Sequence, residues 1–114
     1  MPTLRLLTNI DIAPEARPAL LARASRRVAE LLGKPESYVL LILEPGRDLL
    51  FGGTDAPAAY VELKSLGLPE AKTPDYSNAL CAWLGEELAI APERVYIEFA
   101  APPRHLFGWN GTTF

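Results

Sequence analysis

The amino-acid sequence predicts an α+β fold in which a β-α-β unit is used twice, giving a four-stranded mixed sheet with two helices on one face. Three observations predict it. Residues 3–7 and 60–64 alternate apolar and polar side chains, as half-buried strands do. Two longer stretches repeat their apolar residues at helical spacing. A shift of 57 residues, half of the 114-residue chain, brings strand, helix, Pro-Glu pair and strand into correspondence. A chain of this length builds one core, so the expectation is a single domain over 1–114 with pseudo-repeats of about 1–57 and 58–114.

The elements follow in order. Thr3-Leu4-Arg5-Leu6-Leu7 reads as the opening strand. Pro14 suits the first turn of a helix. In that helix Leu20, Leu21, Ala24, Val28, Leu31 and Leu32 form one apolar stripe, and Gly33 supplies the stop. Arg17, Arg23, Arg26 and Arg27 then fall on its solvent side. Pro35-Glu36 precedes Val39–Leu43, an unbroken apolar run of the kind found in strands covered on both faces. The "FGGTDAP" segment carries a Gly-Gly turn and leads into the strand Tyr60–Lys64. Under the 57-residue shift that strand matches Thr3–Leu7, with Arg5 on Glu62 and Leu6 on Leu63. Thr73-Pro74-Asp75 starts a second helix whose stripe is Tyr76, Leu80, Trp83, Leu84 and Leu88, and Pro92-Glu93 precedes the last strand.

Each β-α-β unit pairs its strands in parallel through a right-handed crossover. Two helices cover one face of such a sheet, so the apolar run at 39–43 leaves large side chains on the other. At about 25 cal/mol per Å², roughly a few hundred bare Å² favours association by about several kcal/mol before entropy costs. The expectation is an obligate oligomer that buries the open face.

Composition narrows the function classes. With 49% hydrophobic and 22% charged residues the chain is not of the disordered type. Its net charge of −3 argues against a general nucleic-acid binder. Cys81 is the only cysteine, so no disulfide, CxxC pair or thiolate metal cage is available, and its helical pattern suggests a buried thiol. No apolar run is long enough to span a membrane and no signal peptide is recognisable, so the expected location is cytoplasmic, with unconventional export left open. The chain opens "MPTLRLLT". A small second residue permits removal of Met1, which would leave the secondary amine of Pro2 as the terminus of a pinned strand.

Pro2 ahead of a β-α-β repeat, "GKP" after the first helix, "FGG", "RVYI" and a closing "GWNGTTF" together resemble the macrophage migration inhibitory factor family of the tautomerase superfamily, end to end. The resemblance implies a homotrimer whose sheets enclose a central channel. It also implies a cofactor-independent keto–enol tautomerase acting on phenylpyruvate-type α-keto acids, with the Pro2 amine as catalytic base. Burial and a neighbouring cation lower an amine's pKa, as a base at neutral pH requires. Lys34 matches the family's carboxylate-holding lysine, and Leu66 the position whose backbone N–H contacts substrate. Tyr96 matches the tyrosine contributed by a neighbouring subunit, able to donate a hydrogen bond to a developing enolate. Tyr38, Ser65, Phe107, Trp109 and Phe114 fall at positions of the pocket wall.

The sequence also departs from the family pattern. Glu98 stands where the best-known member has a substrate-contacting asparagine, which puts a carboxylate near the site and leaves substrate range open. Ala58 and Val61 occupy the positions of that member's CxxC cysteines, so thiol oxidoreductase chemistry through that motif is excluded. His105, the only histidine, lies in the unrepeated "PPRHLFG" segment and has no partner set for a metal. Two alternative readings stand beside the tautomerase: a cytokine-like binding protein with a vestigial pocket, and a related proline-based decarboxylase or dehalogenase. The sequence indicates no receptor-binding motif.

Overall fold

A computed structural model describes all residues, 1–114. Four strands form one sheet in the order β2-β1-β3-β4: β1 (Thr3–Thr8), β2 (Leu40–Glu44), β3 (Ala59–Lys64) and β4 (Val95–Ala100). β1 pairs in parallel with β2 and β3 with β4, while the central pair β1–β3 is antiparallel. The crossovers are α1 (Arg17–Leu32) and α2 (Thr73–Leu88). A two-stranded hairpin, β5 (Gly108–Trp109) with β6 (Thr112–Thr113), closes the chain; sequence periodicity cannot reveal strands of two residues.

One face of the sheet and one face of each helix make the core. Leu4 and Leu6 of β1 and Val61 and Leu63 of β3 pack against Leu20, Ala24 and Val28 of α1 and Leu80, Trp83 and Leu84 of α2. The buried helix residues recur every fourth position, the spacing that lines up one helical face. Arg23, Arg26 and Arg27 are exposed as expected, with Arg23 paired to Glu87 at 2.6 Å; Arg17 is half-buried and donates to the Ile12 carbonyl at 2.9 Å. Cys81 is half-buried rather than enclosed.

The two halves do not superpose at a single offset. α1 and α2 begin at residues 17 and 73, an offset of 56, and the buried Leu20, Ala24 and Val28 recur as Tyr76, Leu80 and Leu84. Only β1 onto β3 keeps 57, because Leu4 and Leu6 must match the buried Val61 and Leu63 rather than the outward Tyr60 and Glu62. The Pro-Glu match at 57 is therefore one residue out of step: the 3-10 turn Glu36–Tyr38 corresponds to Pro92–Arg94.

The open face is also less apolar than the run at 39–43 implies. Leu41 and Leu43 turn to the core, Leu40 and Ile42 turn outward, and Ile42 is in register with Arg5. Arg5 sits at the centre of that face, bonded to Glu44 through Nε at 2.6 Å and Nη2 at 3.2 Å, with Glu62 at 3.5 Å. The exposed large apolar residues of the sheet are Leu40 and Ile42 on the β2 edge and Tyr96 on the β4 edge, with Leu7 and Tyr60 half-buried between them.

The Gly-Gly turn forms as expected. Gly52 and Gly53, at φ of 59° and 79°, link Phe51 and Thr54 in a two-residue turn with mutual backbone bonds of 3.0 and 3.1 Å. The Arg94 guanidinium holds this loop through the carbonyls of Phe51, Thr54 and Ala56, and lies 4.9 Å from the Phe51 ring centroid.

Candidate active site

The strand directions decide where a site can form. Parallel pairing puts the start of β2 beside the start of β1, as in Thr3 opposite Leu40. Antiparallel pairing brings the end of β3 to the same place, Thr3 opposite Lys64, and β4 ends beside β3, Lys64 opposite Ala100. Four chain segments thus meet at one end of the sheet: the N-terminus, the turn after α1, the turn after β3 and the segment after β4. A cavity of about 390 Å³ lies there, lined by Met1, Pro2, Lys34, Pro35, Tyr38, Leu66, Gly67, Arg104 and Phe114.

Each lining group has a local cause. Pro2 is buried, and its carbonyl accepts the Leu40 N–H at 2.9 Å, which fixes the N-terminal segment against β2. Lys34 is placed by the helix stop before it. Gly33 adopts φ 63°, which turns the chain out of α1, and the Lys34 N–H donates to the Ala29 carbonyl at 3.0 Å. Tyr38 stands on the following 3-10 turn, where its N–H donates to Pro35 at 3.1 Å. Leu66 lies in the turn after β3, held by Ser65 N–H to Ala100 carbonyl at 3.0 Å and by Gly67 at φ 65°. No carbonyl of the chain accepts the Leu66 N–H, so that donor is free for a ligand. Phe114 is drawn in by the terminal hairpin, its N–H donating to the Phe107 carbonyl at 3.2 Å.

The cavity is electropositive although the protein is acidic. Lys34 and Arg104 are the only charged side chains that line it. The ion pairs of the chain join Arg5, Arg23 and Arg47 to Glu44, Glu62 and Glu87, so neither cavity cation is neutralised. The terminal ammonium, carried by Met1, is pushed below its ordinary value of 8.0, first by burial and then by repulsion from Lys34 and Arg104.

The expected site residues divide into three groups. Pro2, Lys34, Leu66, Tyr38 and Phe114 come together around the cavity. Ser65, Phe107 and Trp109 do not line it. Ser65 is buried beneath the turn that presents Leu66. Trp109 stacks on Phe114 at 5.8 Å and meets Tyr38 edge-on at 5.7 Å, while Phe107 lies 6.0 Å from Phe114. The hairpin turns these two rings behind the wall, where they support it. Tyr96 and Glu98 point to the open face of the sheet and away from their own chain's cavity. Tyr96 is 67% exposed with Phe51 at 4.6 Å, and Glu98 accepts the Tyr60 hydroxyl at 2.7 Å. That bond helps push the Tyr60 phenol up to about 12.

Arg104 is the charged lining residue that sequence reasoning missed. It lies on a 3-10 turn, Arg104–Leu106, inside the segment noted only for His105. Its distance along the chain from Lys34 concealed the pairing. The sole available signal was a cation standing among apolar residues in a segment without a counterpart in the first half.

The family model described as macrophage migration inhibitory factor (MIF) matches residues 1–114. The chain is 35% identical over 117 residues to the macrophage migration inhibitory factor of Mus musculus, covering 100% of this chain and 99% of that protein. It is 38% identical over 115 residues to the homolog from Brugia malayi, with the same coverage of 100% and 99%. Among solved structures, the homologue from Prochlorococcus marinus superposes with a TM-score of 0.90 at 38% identity, covering 98% of each chain. The factor from Trichinella spiralis superposes at 0.91 with 36% identity, covering 98% of this chain and 99% of that one. Matched along its whole length and carrying the fold of these homologues, the chain belongs to the macrophage migration inhibitory factor family.

Proposed function

We propose that the protein is a keto–enol tautomerase of phenylpyruvate-type α-keto acids, working without a cofactor as a homotrimer, with Pro2 as general base once Met1 is removed. The observation that carries this reading is the setting of the terminal amine. It sits at a cavity with two unpaired cations, and the chain depresses its pKa by burial and by charge. Removal of Met1 transfers that setting to the nitrogen of Pro2, a more buried position. An amine kept neutral there can accept a proton from carbon.

In the proposed reaction Lys34 holds the substrate carboxylate and the Leu66 N–H supplies a directed donor beside it. The neutral Pro2 amine takes a proton from the carbon next to the ketone, and the electron pair of that C–H bond passes to the ketone oxygen as an enolate. Lys34 and Arg104 oppose the accumulating negative charge. Returning the proton to oxygen completes the enol, and ketonisation is the reverse. The apolar wall of Tyr38 and Phe114 suits an aryl group and limits the water that would hydrate the amine.

The trimer accounts for the residues that face away. Leu40, Ile42 and Tyr96 are the bare apolar residues of the open face, and packing that face against a neighbour removes them from water. Tyr96 and Glu98 then belong to the interface and to a neighbour's cavity. The test is phenylpyruvate tautomerisation by purified protein whose intact mass shows Met1 removed, beside Pro2→Ala. Turnover that the variant loses while remaining trimeric is the expected result. Turnover unchanged in Pro2→Ala refutes the base. Absence of turnover in the processed protein turns the reading toward a binding function of the family.

A further inference from the structure

Resting on the tautomerase reading, in which Tyr96 reaches a neighbour's cavity, we infer that Arg94 is a positioning residue for the reaction. It fixes Phe51, and through Phe51 it sets the Tyr96 ring that a neighbouring site receives. The "FGG" and "RVYI" segments, far apart in the chain, meet at this point. Arg94 is half-buried and forms no ion pair. Its guanidinium donates instead to four main-chain carbonyls: Phe51 at 2.6 Å, Ala56 at 2.8 Å, and Thr54 and Pro57 at 3.3 Å each. It also lies 4.9 Å from the Phe51 ring centroid. A rigid planar fork of donors suits such a set of acceptors, and a flat cation suits an aromatic ring; the single ammonium of a lysine cannot hold them all.

Phe51 is the link to Tyr96. Their rings lie 4.6 Å apart at 45°. Tyr96 stands on β4, an edge strand of the sheet, and is 67% exposed. Its cross-strand neighbour Tyr60 gives its hydroxyl to Glu98 at 2.7 Å. Phe51 is thus the ring that limits how Tyr96 turns. A group that meets a developing charge is effective only when its orientation is set in advance, and a displacement of about 1 Å can cost about 100-fold in rate. The rest of the loop does not depend on Arg94. Asn9 Nδ2 donates to the Asp55 and Ala56 carbonyls at 3.0 and 3.1 Å, and Asn9 Oδ1 accepts the Ala58 N–H at 2.9 Å. Loss of the arginine fork therefore frees Phe51 and leaves the loop attached.

The experiment uses Arg94→Lys, which keeps the charge but loses the fork, in the full chain with Met1 removed. With phenylpyruvate, kcat/KM falls about tenfold in the otherwise wild-type protein and less than about twofold when Tyr96→Ala is already present, because Arg94 acts through Tyr96. A fall of equal size in both backgrounds overturns the proposal. The second readout is the fluorine NMR spectrum of protein carrying 3-fluorotyrosine, in which the Tyr96 signal is the one missing from Tyr96→Phe. That signal moves in Arg94→Lys and in Phe51→Leu, while those of Tyr38 and Tyr76 stay in place. A Tyr96 signal that moves no more than theirs overturns the proposal, even where Tyr96→Ala fails to assemble. Should the wild type turn over no substrate, the tautomerase reading fails, and the fluorine signal alone decides whether Arg94 sets the ring.

Discussion

The two helix stops predict a pair of substitutions with opposite effects. α1 ends on Gly33 at φ 63° and α2 ends at the equivalent position on Ala89 at φ 55°. Both residues are left-handed, but only glycine adopts that conformation without crowding its Cβ against the following carbonyl. The left-handed conformation costs an alanine about 1–2 kcal/mol. Alanine recovers about 0.4–1 kcal/mol through the smaller entropy of its unfolded chain. A Cβ on Gly33 meets nothing within 4 Å, so no packing contribution enters, and Ala89 is exposed. Gly33→Ala therefore destabilises by about 0.5–1 kcal/mol and Ala89→Gly stabilises by about the same amount, the difference of those two terms. Urea unfolding at one fixed protomer concentration measures both, since oligomer stability depends on concentration. The midpoints move in opposite directions at unchanged slope, and the double variant returns close to wild type. If Ala89→Gly is neutral or destabilising, backbone strain is not what distinguishes the two stops. Gly33→Ala also shifts the residue that carries Lys34, so its kcat/KM falls where that of Ala89→Gly does not.

Two further outcomes concern titration. Burial, Lys34 and Arg104 hold the Met1 amine below its ordinary value of 8.0. The same causes acting on the Pro2 amine once Met1 is removed make kcat/KM rise through a limb below the ordinary value of a free prolyl amine, as the base deprotonates. Lys34→Ala removes one cause of the depression and moves this limb to higher pH, while a limb at the ordinary value in wild type contradicts the electrostatic setting of the site. The Tyr60 phenol, held up to about 12 chiefly by its bond to the Glu98 carboxylate, moves down toward 10.0 in Glu98→Gln, as ultraviolet titration of the phenolate reads directly.

The fold was legible because its signals are local. Alternation along Thr3–Leu7 reflects a strand with one covered face, and Leu20, Ala24 and Val28 reflect a helix with one buried stripe. Pro14 and Gly33 mark the turn into and the end of the first helix because their backbone preferences act on single residues. Five of the residues that the family resemblance sets at a site, Pro2, Lys34, Tyr38, Leu66 and Phe114, line the one cavity.

What remained hidden depends on pairing. The run Val39–Leu43 reads as apolar throughout, and only register with β1 shows that Ile42 stands in the row of Arg5 on the open face. The one-residue difference between the halves is invisible in a match of two residues, because a Pro-Glu pair occurs by composition as easily as by homology. Tyr96 and Glu98 share an alternation that any half-buried strand would show, and the sheet alone decides that they face away from their own cavity. The sequence by itself determined the elements, the single core and the family. Tertiary structure decided which distant segments meet: the antiparallel pairing of β1 with β3 carries the ends of β3 and β4 to the N-terminus, and so brings Arg104 and Lys34 to one cavity. Hydrophobic periodicity records whether a side chain is buried, but carries no record of which neighbour buries it.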